Sequence, residues 1–88
     1  MNTIFKYNMR TPVRVPEQYK VLTAGPQGDY DCVWIQLDSE REEMFELIFK
    51  IYGTGREIPA NPGIYVTTYF EGPFVWHVYY VSSQLEKH

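Results

Sequence analysis

The sequence predicts an all-β domain, a small antiparallel barrel or sandwich of about six strands. Three observations predict it. Apolar side chains recur at period two in several separate segments, as half-buried strands require. Clusters of Gly, Pro, Asn and Asp punctuate those segments at short spacing. The 88 residues include 8 Tyr, 5 Phe and 2 Trp, and aromatic side chains favour pleated, half-buried surfaces. The length is that of one domain, so residues 1–88 read as a single unit.

The elements follow in order. In residues 3–9, Phe5, Tyr7 and Met9 alternate with Lys6 and Asn8, a half-buried strand. Pro12 and Pro16 bracket Val13-Arg14-Val15; proline lacks an N–H, so this piece reads as an edge strand or an extended link. Residues 19–24 form the next strand. Gly25-Pro26-Gln27-Gly28-Asp29 reads as a five-residue hairpin loop, and residues 30–38 return with Val33, Ile35 and Leu37 on one face and Cys32, Trp34 and Gln36 on the other.

Residues 38–43 are a polar connection in which Asp38 or Ser39 can cap one short helical turn. The run Met44–Tyr52 admits a helix or a strand. Its Glu and Leu content favours the helix, but Phe45, Leu47, Phe49 and Ile51 alternate, and the β-branched and aromatic weight decides for a strand. Residues 53–63 make the longest loop. Residues 64–70 and 74–81 are strands joined by a turn at Glu71-Gly72-Pro73, and Ser82–His88 read as a polar tail.

Charge and composition exclude several function classes. The formal net charge is −3, and no run of Lys or Arg is present to neutralise phosphates, which argues against duplex nucleic acid and against an anionic membrane surface. No apolar run approaches the roughly 18–20 residues of a membrane helix, and the N-terminal segment lacks the apolar middle of a signal peptide. Cys32 is the one cysteine, so no disulfide can form within the chain and cytoplasm is the expected location.

The chemistry-bearing residues are few. His77, His88 and Cys32 show no zinc-type spacing, so no metal is expected. Cys32 and His77 satisfy only the residue types of a Cys–His pair; a free Cys in a buried strand ordinarily acts as a small apolar group. The acidic residues Glu40, Glu42, Glu43 and Glu46 read as a solvated cluster with nothing apolar to raise a carboxyl pKa. No acid–base or nucleophile constellation is recognisable, so the chain reads as a binding protein with no catalytic residues and no cofactor.

Two segments carry the binding argument. Gly53-Thr54-Gly55-Arg56 can bring backbone N–H groups close to a ligand, with Arg56 supplying a charge-assisted contact. It lacks phosphate-loop spacing, and a tight β-connection with a solvated Arg56 is the commoner reading of such a loop. On the last strand, Trp76, His77 and Tyr79 offer stacking surfaces and a polar anchor, although a buried His is commonly a hydrogen-bonded structural residue. With the aromatic Trp34, the candidate ligand-binding set is Trp34, Gly53, Thr54, Gly55, Arg56, Trp76, His77 and Tyr79. Because 88 residues make a shallow pocket alone, a homo-oligomer with pockets at subunit boundaries is expected.

Several strings, in order, resemble a known family: Ile4-Phe5-Lys6-Tyr7, Cys32-Val33-Trp34-Ile35-Gln36-Leu37-Asp38, Phe49-Lys50-Ile51-Tyr52-Gly53-Thr54-Gly55, Ile58-Pro59, Gly63-Ile64-Tyr65 and Val75-Trp76-His77-Val78. Together they are similar to a family of small uncharacterised domains of bacteriophages and bacterial genomes, over residues 3 to 80. The family pattern has a histidine after the second glycine where this chain has Arg56, so no shared role carries over to that position. The resemblance implies a phage-type accessory protein without established catalytic residues. By class analogy it would hold a signalling molecule of host defence, such as a nucleotide, or block a host protein. A phage structural or assembly component is the further alternative.

Overall fold

The computed structural model describes residues 1–86 and is all-β, with seven strands: β1 (Thr3–Asn8), β2 (Val13–Pro16), β3 (Tyr19–Gln27), β4 (Tyr30–Leu37), β5 (Glu43–Gly53), β6 (Ile64–Glu71) and β7 (Phe74–Gln84). They form two antiparallel sheets, one ordered β1-β4-β3 and one ordered β2-β5-β7-β6. The two sheets do not close into one barrel, and the architecture is a sandwich.

Alternation builds the core as the sequence predicts. Val33, Ile35 and Leu37 of β4 face Leu47 and Phe49 of β5 and Val78 and Tyr80 of β7. Phe5, Tyr7, Phe45 and Ile51 pack on this cluster from its rim. Stacked sheets bury one face of each strand, so odd positions of β4 and β5 and even positions of β7 point inward. The chain passes from the three-stranded to the four-stranded sheet between β1 and β2, where Met9 is buried and its N–H donates to the Asp31 carbonyl at 2.9 Å.

Four expectations change in detail. Val13–Pro16 is a true edge strand, paired with Glu43–Leu47 of β5, which raises the count to seven. The β3–β4 loop is two residues long, because Pro26 pairs with Asp31 and Gln27 with Tyr30; an edge strand tolerates the proline. No helical turn forms at residues 38–43. Asp38 instead caps a single β-turn, accepting the Glu40 N–H on Oδ1 at 3.0 Å and the Arg41 N–H on its carbonyl at 3.1 Å. Finally, Ser82, Ser83 and Gln84 belong to β7 and pair with Leu47, Glu46 and Phe45. Ladder hydrogen bonds come from the backbone, so a long partner strand recruits polar residues that the side-chain pattern marks as tail. Residues 87–88 of that tail lie outside the described residues.

Candidate functional site

Tyr52 and Gly53 end β5, and the chain reverses in a hydrogen-bonded β-turn whose Arg56 N–H donates to the Gly53 carbonyl at 3.1 Å. Gly55 holds φ at +85°, the value a type II turn requires at its third position. Gly53 has a different reason: a Cβ there would sit 3.2 Å from Cζ3 of Trp76. Both glycines are therefore explained by the turn and by the indole packed over it. The Thr54 N–H donates to the Val75 carbonyl at 3.1 Å, so Gly55 holds the one amide of Thr54–Arg56 that remains open to a ligand. The loop is not a nest of converging N–H groups.

Beside the turn, His77 is held at both ring nitrogens. Nε2 lies 2.8 Å from the Thr54 hydroxyl and Nδ1 lies 3.0 Å from the Thr68 hydroxyl. The Thr54 hydroxyl also donates to the Val75 carbonyl at 3.4 Å, and the Tyr65 and Thr68 hydroxyls are 2.6 Å apart. One tautomer of the ring accommodates all four contacts at once. Because the Thr54 proton goes to a carbonyl, Nε2 carries the imidazole proton and donates to Thr54. Nδ1 then accepts from Thr68, whose oxygen accepts from Tyr65. The ring acts as a clip joining the end of β5 to β6 through β7.

The turn separates two open depressions. One, of about 250 Å³, is lined by Tyr52, Ile58, His77 and Tyr79 together with residues 53–56. The other, of about 460 Å³, lies on the far side between Arg56, Pro73, Phe74, Val75 and Trp76. Arg56 borders both and has no acidic partner among the described residues. Rings flank it on each side. Tyr79 packs edge-on to Tyr52 at 6.0 Å and to Tyr65 at 5.5 Å, and Phe74 stacks on Trp76 at 5.8 Å and 28°.

Thus seven of the eight candidate residues line these two depressions. The exception is Trp34, which pairs with Lys6 and Thr23 on the outward face of the three-stranded sheet. Strand period places it on the face opposite Val33 and Ile35, away from the turn. Tyr52, Ile58 and Phe74 are lining residues that the sequence reading did not name. Tyr52 had a signal, since it directly precedes the glycine turn. Thr68 and Tyr65 had none, because only the β6–β7 register brings them to His77.

A second polar cluster was also not foreseen. Asp31 accepts from Arg10 Nη2 at 2.8 Å and from the Tyr69 hydroxyl at 3.2 Å. Burial, reinforced by the Asp31 charge, pushes the Tyr69 phenol up to about 12. These groups satisfy one another and join the β1–β2 connection, β4 and β6. Cys32 is buried in the three-stranded sheet with its Sγ 3.9 Å from the Tyr30 carbonyl, whereas both nitrogens of His77 are engaged by threonines, so the two do not form a nucleophile–base pair. No group of three or more His, Cys, Asp or Glu is placed to hold a metal among the described residues, and none of them forms a helix long and apolar enough to cross a membrane.

No curated protein and no solved structure matches the chain. A family model does match, over residues 1–88, in keeping with the resemblance to an uncharacterised domain. The chain belongs to the family described as a domain of unknown function, DUF7352.

Proposed function

We propose that the chain is a non-catalytic binding domain that holds a small anionic ligand carrying a flat ring, a nucleotide being the simplest such molecule, at the Gly53–Arg56 turn. The observation that carries this reading is Arg56. Its guanidinium has no acidic partner among the described residues and stands between two depressions that both present aromatic rings. An unpaired guanidinium offers bidentate contact to phosphate or carboxylate, and neighbouring rings offer stacking to a base. The engagement of His77 at both nitrogens supports a holding role over proton transfer. The resemblance to phage and bacterial domains supports seeking the ligand among nucleotide signals of host defence, with the domain acting as a phage-type accessory protein that sequesters one.

Calorimetric titration with a nucleotide panel, together with native mass spectrometry of protein purified gently from its expression host, tests this. The expected result is a nucleotide-sized adduct or a measurable affinity that Arg56→Ala weakens roughly tenfold or more, as loss of a charge-assisted contact predicts, with the melting temperature unchanged. No adduct and no binding up to about 1 mM, the weak end of specific affinities, overturns it.

A protein partner is the second reading. It is favoured by the openness of both depressions and by the exposed Ile48, Tyr65, Phe70 and Val81 of the four-stranded sheet. Recovery of a stoichiometric host protein by the wild type, together with absence of nucleotide binding, would decide for it.

A further inference from the structure

The outer face of the four-stranded sheet has an unusual composition for a solvated surface. Odd positions of β7 point outward, and the register sets them in rows with their neighbours. Val81 pairs with Ile48, Tyr79 lies between Lys50 and Tyr65, His77 lies between Tyr52 and Thr68, and Val75 pairs with Phe70. Ile48, Tyr65, Phe70 and Val81 are exposed, Phe70 at 75%. An antiparallel sheet with one solvated face normally carries polar residues there; this one carries aromatic and aliphatic side chains. The charged groups on the rows are Lys50 and, at the β2 margin, Arg14 and Glu46, which pair with each other at 3.7 Å. The rows therefore carry one excess positive charge, on Lys50, with Arg56 beside Tyr52 and His77 at their end, although the whole chain carries a formal charge of −3.

We propose that this face is covered by a second copy of the same chain, packed sheet on sheet as a twofold dimer. Three observations select that occupant. First, the rows hold few charges, Arg14 and Glu46 cancel, and the acidic remainder of each copy points away from its image, which limits like-charge repulsion across the axis. Second, the face is complementary to itself. Lys50 and Tyr65 flank Tyr79 on opposite sides. A twofold axis lying in the interface along β7 therefore sets Lys50 of each copy over Tyr65 of the other, an ammonium over an aromatic ring. Third, the area reaches what a specific interface needs. About this axis β2 falls beyond β6 of the other copy, so three strands overlap; at about 4.8 Å spacing, with seven residues at about 3.4 Å each, they outline roughly 14 by 24 Å. With side-chain relief this is roughly 500 Å² per copy, which together match the roughly 1,000 Å² in total that a specific interface clears.

The dimer does not depend on the ligand reading. It would cap the Tyr52–His77–Tyr79 depression and leave the Phe74–Trp76 side of the Arg56 turn open. Sedimentation velocity from about 5 to about 200 µM, a range that brackets ordinary dimer affinities, provides the test. The expected species has twice the 10.4 kDa chain mass. Ile48→Glu with Val81→Glu should weaken association roughly 100-fold, since it sets buried carboxylates against one another across the axis. Phe70→Ser is the second variant; its side chain is too exposed for truncation to disturb the core, and it should weaken the dimer roughly tenfold. A wild type that stays monomeric throughout overturns the proposal. So does a dimer that neither variant weakens. Loss of nucleotide binding in Arg56→Ala leaves the dimer intact, so failure of one proposal is distinguishable from failure of the other.

Discussion

At the residue scale, His77 shows how a polar side chain acquires its role from register. Alone in the sequence it reads as a structural group more readily than as a ligand anchor. In the folded chain its two nitrogens meet Thr54 and Thr68, which are 23 and 9 residues away. The contacts of Thr54 with the Val75 carbonyl and of Tyr65 with Thr68 are all accommodated when the proton sits on Nε2. Long-range proton–nitrogen NMR at neutral pH should show the Nε2–H tautomer. Thr54→Val, which removes the acceptor at the end of this chain, should shift the population toward Nδ1–H. A wild-type spectrum dominated by the Nδ1–H form would refute the assigned direction. Gly53 and Gly55 carry the same lesson in reverse. The pair is accounted for by a type II turn and an indole contact, and the Arg56 guanidinium remains as the group of that loop with no acidic partner among the described residues.

At the element scale, β5 is the strand on which the four-stranded sheet depends. It pairs with β2 on one side and β7 on the other, and its inward residues Phe45, Leu47, Phe49 and Ile51 are those whose alternation favours a strand over a helix. Leu47 is fully buried between Val13 and Ser82. Truncating a fully buried leucine removes its transfer free energy and leaves a cavity. Leu47→Ala should therefore cost about 3 kcal/mol, read by urea denaturation. A loss below about 1 kcal/mol would mean that the strands on either side of β5 collapse into the space. The same element explains the length of β7. The backbone of Phe45–Leu47 continues past the last apolar residue of β7, and pairing with it extends that strand through Ser82–Gln84.

At the scale of the whole molecule, the two sheets are joined by apolar packing and by two phenols, Tyr80 buried and Tyr69 half-buried. Tyr69 reaches across to Asp31, and burial with the Asp31 charge pushes its phenol up to about 12 from 10.0. Tyr80 packs against Phe49 and Tyr19, and burial followed by the Tyr19 hydroxyl drives its phenol up as well. A raised phenol pKa means that the fold binds the proton more tightly than the unfolded chain does. The associated stability is complete below the unfolded value near 10.0 and is lost as pH rises through the folded value near 12. Chemical denaturation from neutral to alkaline pH should show unfolding free energy falling above about pH 10. Tyr69→Phe, which cannot ionise, should have lower stability at neutral pH and a shallower alkaline decline. An equal slope in wild type and variant would show that Tyr69 does not contribute to it.

The class of fold and nearly every strand are legible in the order of residues alone, because period-two burial is written locally: each of Phe5, Val33, Ile35, Leu47 and Val78 declares its face by its neighbours. The same order also marked the Arg56 turn and the aromatic last strand as the place to look for binding. Strand order, and with it every partnership between residues distant in the chain, was decided only by the tertiary structure. Period two says which face a side chain occupies but not which strand lies beside it, so nothing local links Thr68 to His77, Asp31 to Tyr69 or Phe45 to Gln84. Trp34 fits the composition of the site yet lies in the other sheet, because sheet assignment follows from pairing and packing of the whole chain. The open aromatic face beyond β7 has the same origin. Its members come from β5, β6 and β7, and they form one surface only when the register sets them side by side.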